Sequence, residues 1–166
     1  QRLPNAFIDR KAPKREGELQ AVLQLADDLN ERLAVLIYPE GTRFSESKQK
    51  KILKSMQEKG MDELLEIAQS FRTVLPPKLG GPLGLIDAAP GVDIVLLEHS
   101  GFEGAANFSR FWNGALVGRT IRVRLRRLKA ENIPSENRDR WLFERWAEMD
   151  AWIVQSMSED PEHNCT

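Results

Sequence analysis

Leu33-Ala34-Val35-Leu36-Ile37-Tyr38, followed at once by Pro39-Glu40-Gly41-Thr42-Arg43, holds the strongest strand signal in the chain. Six apolar residues in a row, without alternation, fit a strand covered on both faces, as in a parallel sheet. Pro39 has no N–H to give to a ladder and ends the run. Working outward on the N-terminal side, Leu19, Val22, Leu23, Ala26 and Leu29 recur at helical spacing, which predicts a helix over residues 16–32. On the C-terminal side a Lys-rich polar stretch, 45–59, reads as a second helix. Gly60 interrupts it, and Asp62 stands where a cap would start a short helix carrying Leu64, Leu65, Ile67 and Ala68.

Further along, Val74-Leu75 predicts a short strand broken by Pro76-Pro77. Leu83, Leu85 and Ile86 begin a helix ended by Pro90-Gly91, and Val92 to Leu97 reads as a second fully covered strand. Residues 104–117 read as helix. Ile121, Val123 and Leu125 alternate with arginines and lead to Leu128, a half-exposed strand at a sheet edge. Ser135 is placed to cap a long helix with Leu142, Trp146, Met149 and Ile153 on one face. Strands alternating with helices predict an α/β fold, a single domain with a mixed, mostly parallel sheet flanked by helices.

Composition narrows the function classes. At 166 residues, with 41% hydrophobic and 30% charged residues, the chain matches an ordinary single globular domain. Its formal net charge of −1 supplies no global field for nucleic acid or a membrane, so any anion site is local. The single cysteine, Cys165, sits in a polar tail and offers neither an internal disulfide nor an ordered pocket for a nucleophile. No apolar run approaches the ~18–20 residues that cross a bilayer. No metal-ligand spacing or P-loop is present.

The loop after the first strand carries the chemistry. In open α/β sheets, ligands sit where loops leave the carboxyl ends of strands. Gly41 permits close backbone approach, Thr42 offers a hydroxyl, and Arg43 offers a planar fork for two phosphate oxygens. Glu40 would repel phosphate, so it suits a substrate hydroxyl or the orientation of an arginine. The plainer reading is a surface turn with a solvated ion pair.

Tyr38-Pro39-Glu40-Gly41-Thr42-Arg43 resembles the third motif of the glycerolipid acyltransferase family, of the lysophosphatidic acid acyltransferase type. Phe7-Ile8-Asp9-Arg10 upstream resembles the second motif, and Leu75-Pro76-Pro77-Lys78 downstream is similar to the fourth. The resemblance covers residues 4–102. It departs from the family at Pro4, where a glycine is usual, and in lacking the first motif, His followed four residues later by Asp. His99 precedes Glu103 at that spacing but lies after the other motifs.

The resemblance alone implies a domain layout, a reaction and a set of roles. Residues 1–130 would be an acyltransferase domain truncated before the second motif, 131–158 an amphipathic helix packed on or beside it, and 159–166 a polar tail. The chain, opening at Gln1, would be a fragment whose catalytic His and Asp lie upstream, inactive by itself. The reaction is acyl transfer from acyl-coenzyme A or acyl carrier protein to the free hydroxyl of a lysophospholipid in phospholipid biosynthesis, with no cofactor. Arg10 and Arg43 would clamp the phosphate, Glu40 would serve the glycerol hydroxyl, Gly41 and Thr42 would shape the loop, and Lys78 would meet phosphate or the thioester carbonyl. The family also implies association with the cytoplasmic face of a membrane.

Several features have plainer readings. Lys48, Lys50, Lys51 and Lys54 are a solvated helix face or a contact for anionic lipid. Trp146 is core, and Trp141 and Trp152 lie at the margin of the same apolar stripe. His99 near a strand end reads as structural, and Ser100 lacks the flanking glycines of a nucleophile elbow. Two competing functions remain: a non-catalytic lipid- or phosphate-binding module, and an unrelated phosphate-binding α/β domain. No nucleic-acid partner is expected.

Overall fold

The computed structural model describes residues 24, 26, 29, 33–102, 114 and 117–159. Helix α1 spans Glu46–Glu58. Ser45, in extended backbone, caps it by accepting from the Lys48 N–H, and Glu46 adds a favourable charge to the first turn. Gly60, at φ 65°, stops it in the left-handed conformation. The Gly60 and Met61 amides then donate to the Gln57 and Met56 carbonyls, which satisfies two helix-end acceptors. Helix α2 follows at Asp62–Ala68, with Met61 at the cap position and the acidic pair Asp62 and Glu63 inside the first turn. Asp62 therefore acts on the helix dipole rather than as a cap. Helix α3 is Gly80–Ala88, carries Pro82 in its first turn and ends ahead of Pro90-Gly91.

Strands β1 (Ile94–Ser100) and β2 (Arg122–Leu128) form the sheet, antiparallel, with Leu97 opposite Leu125 and Glu98 opposite Arg124. At the end of β1, Gly101 takes φ +97° and lies against the Thr120 backbone, where a Cβ would collide with the carbonyl oxygen. A 3₁₀ turn at Ala130–Asn132 leads to helix α4, Arg138–Ser158. Asn137, at φ 51°, precedes it; Asn is among the residues that tolerate this region. Ser135 lies outside the helix and does not cap it.

Helix α4 is the spine of the core. Its Leu142, Phe143, Trp146, Met149 and Ile153 pack with Met56 of α1, Leu64 and Ala68 of α2, Phe71 and Val74 of the following segment, and Leu96 of β1. Burying each such side chain stabilises the fold by roughly 1.5–3 kcal/mol before conformational entropy is set against it.

Four expectations are corrected. The described residues hold a two-stranded antiparallel sheet flanked by helices, not a mixed, mostly parallel one. Alternation of strands and helices along a chain does not fix strand direction, and here β2 returns against β1. Residues 33–38 form no strand, and Leu36 and Tyr38 are 71% and 78% exposed. An apolar run becomes a covered strand only where neighbours pair with it, and no described strand does. Val74 lies in a bend and Leu75 in irregular backbone rather than in a strand, though both residues are buried.

Strand β1, fourth, is covered on one face and not on both. Val95 and Leu97 of β1 and Val123 and Leu125 of β2 are exposed, while Arg122, Arg124 and Arg126 turn toward α4. Glu98, 1% exposed, decides this. Both its oxygens accept from guanidinium groups, Oε2 from Arg124 and Oε1 from Arg126 at 2.6 Å. Arg126 continues to Glu148 of α4, Arg122 donates to the Ser156 carbonyl, and Arg124 lies 4.7 Å from the ring centre of Trp152. A buried carboxylate with two partners stabilises an inward-facing arginine row, and the arginine stems supply apolar contact beneath the helix. Of the helix expected over 16–32, Gln24 and Ala26 are helical and Leu29 is not; its other residues lie outside the described set. The helix expected over 104–117 falls there too, apart from Gly114 and Val117, which are in turns, as do His163 and Cys165.

Candidate functional site

The segment Tyr38–Gly41 is a turn, closed by the Gly41 N–H donating to the Tyr38 carbonyl at 2.9 Å. Pro39 at its second position and glycine at its fourth are the residues such turns favour. Two further bonds tie this turn to the segment 75–78. Glu40 Oε2 accepts from the Leu75 N–H at 3.1 Å, across 35 residues of sequence, and the Lys78 N–H donates to the Pro39 carbonyl at 3.0 Å. The Lys78 side chain then runs over Gly41, and a Cβ there would sit 3.0 Å from Nζ. Gly41 is thus favoured by its φ of +69°, while a Cβ there would ask only the flexible end of Lys78 to shift.

Segment 75–78 is itself fixed from behind. Asp150, buried on α4, accepts from the amides of Arg72 (3.0 Å), Thr73 (2.6 Å) and Val74 (3.2 Å), and from the Thr73 hydroxyl at 2.7 Å. Gln49 of α1 donates to the Phe71 carbonyl at 2.6 Å. Leu75, Pro76 and Pro77 are buried, and the two prolines bring no N–H that would need a partner. Two helices therefore hold the platform on which the turn rests.

On the solvent side, Lys48 bends back from α1. Its Nζ donates to Thr42 Oγ1 at 2.9 Å and to the Arg43 carbonyl at 3.0 Å. Lys48 is exposed like its neighbours, but its ammonium is engaged by the loop. Lys50, Lys51 and Lys54 stay exposed, Lys54 within 3.9 Å of Glu58. Arg43 is exposed at the rim. Arg10 lies outside the described residues, so its convergence with Arg43 does too.

Charge around the turn is arranged in two layers. Burial pushes the Glu40 carboxyl above its ordinary range; the Leu75 amide and the Trp146 indole counter this, and the Asp150 carboxylate adds to it. The indole Nε1 is buried and completes no hydrogen bond of good geometry, so its effect on Glu40 is that of a nearby dipole. The acids here thus face backbone amides on the inner side, while Lys48 and Lys78 stand outside with no carboxylate ion pair among the described residues. Among the described residues, then, no carboxylate neutralises the two ammonium groups beside Gly41–Arg43.

Elsewhere the described residues offer less. His99 is exposed on the outer sheet face, edge-on to Phe102 at 5.2 Å, and no carboxylate among the described residues is hydrogen-bonded to it. Ser100 Oγ is buried without a hydrogen-bond partner, on the opposite face from His99. Trp146 is core, and Trp141 and Trp152 pack partly buried against it. A surface hollow bounded by Gly91, Asp93, Lys129, Ala130 and Glu131 lies at the end of the sheet where β1 begins and β2 ends. Its charges are engaged: Asp93 accepts from Ala130 N and Arg127, and Lys129 meets Glu131 at 3.2 Å. No group of three or more metal-ligating side chains is found among the described residues, and no helix there is long and apolar enough to cross a membrane.

Sequence reasoning missed Asp150 and the role of Lys48. Asp150 had a signal: it stands on the apolar stripe of α4, four residues after Trp146, and a carboxylate on a buried face needs partners. Lys48 had none, because a lysine in a lysine-rich helix looks like its neighbours. No family model, curated protein or solved structure matches the chain.

Proposed function

We propose that this chain carries the acyl-acceptor side of a glycerolipid acyltransferase of the lysophosphatidate type. The reaction moves a fatty acyl group from acyl-coenzyme A or acyl carrier protein to the free hydroxyl of a lysophosphatidic acid-like lysophospholipid. One observation carries the reading: the segments resembling the third and fourth motifs, far apart in sequence, meet through Glu40–Leu75 and Lys78–Pro39. They form one cationic corner. A dianionic phosphate there gains charge-assisted bonds from Arg43 and Lys78. Glu40 keeps Oε1 outside its bond to Leu75, and that oxygen is the acceptor for a glycerol hydroxyl.

In the reaction the hydroxyl loses its proton to a base and its oxygen attacks the thioester carbonyl; the ester forms as the thiol leaves. The resemblance assigns the base to the first-motif His/Asp pair, which this sequence lacks. The chain alone is therefore expected to bind the acceptor without acylating it, and acyl transfer by it would refute this division of labour. The test is titration of the chain with glycerol 3-phosphate. Arg43→Ala should weaken binding by about ten- to a hundredfold, the loss of one charge-assisted partner. Arg43→Lys should weaken it too, since the fork is lost while the charge stays. Unchanged affinity in both would remove Arg43 from the site.

A second reading, a non-catalytic phosphate- or lipid-binding module, is favoured by the position of His99, set edge-on to Phe102 with no carboxylate partner among the described residues. Acyl transfer by a longer protein containing this chain separates the two. Under either reading the exposed Lys50, Lys51 and Lys54 give α1 a face for anionic lipid, at up to ~1 kcal/mol per lysine.

A further inference from the structure

We infer that Lys48 is a positioning residue for a phosphate monoester: it holds the Thr42 hydroxyl and the Arg43 backbone in the conformation that receives the anion. The inference rests on reading the Gly41–Arg43 loop as an anion site and adds to it a residue outside every motif the sequence shows. A lysine ammonium has three N–H donors. Two of them reach Thr42 Oγ1 at 2.9 Å and Arg43 O at 3.0 Å, so one ammonium ties a side chain and a backbone carbonyl together.

The geometry favours Lys48 over the other lysines of α1. Thr42 and Arg43 follow a glycine at positive φ and precede the capping Ser45, so they lie between two fixed points, the turn tied to Leu75 and the start of α1. Between those points a single ammonium, that of Lys48, grips both the Thr42 side chain and the Arg43 carbonyl. Lys78 closes the opposite side of Gly41. Without Lys48 the hydroxyl of Thr42 loses this donor, and the carbonyl of Arg43 is freer to turn toward the incoming phosphate, which it would repel. The ligand class follows from charge: two ammonium groups and a guanidinium suit a dianionic monoester better than a singly charged diester.

The experiment uses the whole chain and two probes, glycerol 3-phosphate in solution and phosphatidylcholine vesicles with or without lysophosphatidate. Lys48→Met should weaken glycerol 3-phosphate binding about tenfold, and Lys48→Arg should restore part of it. Lys59→Met, the same charge change at the far end of α1, should leave affinity unchanged. Thr42→Val added to Lys48→Met should cost little more, because two residues acting through one contact are not additive. A loss confined to lysophosphatidate vesicles would sustain the same role and identify the lipid headgroup as the source of the phosphate. Equal binding by wild type and Lys48→Met would overturn the role of Lys48 while leaving the anion site standing. Equal losses in Lys48→Met and Lys59→Met, or additive losses with Thr42→Val, would overturn positioning in favour of bulk charge or independent contact. Wild-type chain that binds neither probe overturns the site itself. Melting curves show which variants are folded, and the arginine variant keeps the question answerable if the methionine variant is not.

Discussion

Beneath α4 the sheet answers its buried carboxylate with guanidinium groups, whereas beside the 38–43 turn the carboxylates are answered by backbone amides. In the first region Glu98 is enclosed by Arg124 and Arg126, and Arg126 is shared with Glu148. In the second, Asp150 collects three amides and a hydroxyl, and Glu40 takes one amide. Pairing charge with charge closes a region to outside ions. Pairing acids with amides leaves nearby cations without a carboxylate, and among the described residues the lysines beside Gly41 have none. The difference separates a closed structural network from the corner proposed to bind an anion.

The largest effect is expected where the pairing is closed. Glu98→Ala strands two half-buried arginines and should lower stability by about 3–5 kcal/mol, read as a shift in the urea midpoint. Asp150→Ala leaves the Thr73 and Val74 amides without their acceptor and should cost about 2–4 kcal/mol in the same assay. It should also loosen the 75–78 platform and so weaken phosphate binding, which Glu98→Ala should not do in the folded fraction. If both variants weaken binding equally, the two regions are not separate.

The regions should also differ with pH. Glu40 has its folded-state pKa raised, so the folded chain holds a proton that the unfolded chain releases first. Its contribution is most favourable at low pH and is lost as pH rises above the ordinary value of 4.5 through the raised one. Glu40→Gln should remove that decline; a wild-type curve with no more slope than the variant's in this window would contradict the burial of Glu40. Asp93 has the opposite sign. The Ala130 amide, first, and then Arg127 hold its pKa below 3.8, so its contribution is present above that value and fades as pH falls through the lowered one. Asp93→Asn should flatten the acid end of the profile.

The smallest effect should come from the outer sheet face. Leu125→Thr or Val123→Thr should change stability by less than about 0.5 kcal/mol, as surface substitutions do. Leu96→Ala on the inner face should cost about 2–5 kcal/mol. A large cost at Leu125 would mean that the outer face is covered in solution.

That face shows why part of the fold was legible in the sequence and part was not. Helices α1 to α4 could be read because their signals are local: Gly60 after the polar run of α1, Pro90-Gly91 beyond α3, and the stripe Leu142, Trp146, Met149, Ile153 along α4. The alternation in β2 predicted a half-exposed strand in the right place, but its apolar side turns outward. A period of two says that faces differ, not which one is buried, and Glu98, which settles it, lies on another strand. Residues 33–38 failed for the same reason, since cover is supplied by neighbours and not by the run itself. At the candidate site the motif residues could be named from sequence; the bonds from Glu40 and Asp150 that bring them together could not, as they cross 35 and more than 70 residues.

Gly101 shows what such a long-range contact demands of a single position. Because the Thr120 carbonyl occupies the place of its missing Cβ, the first carbon added there does all the harm, and larger side chains add little more. A saturation series at this position should be a step rather than a slope. Alanine and tryptophan would fall together on the far side of it, each prising open the seam at which β2 joins β1.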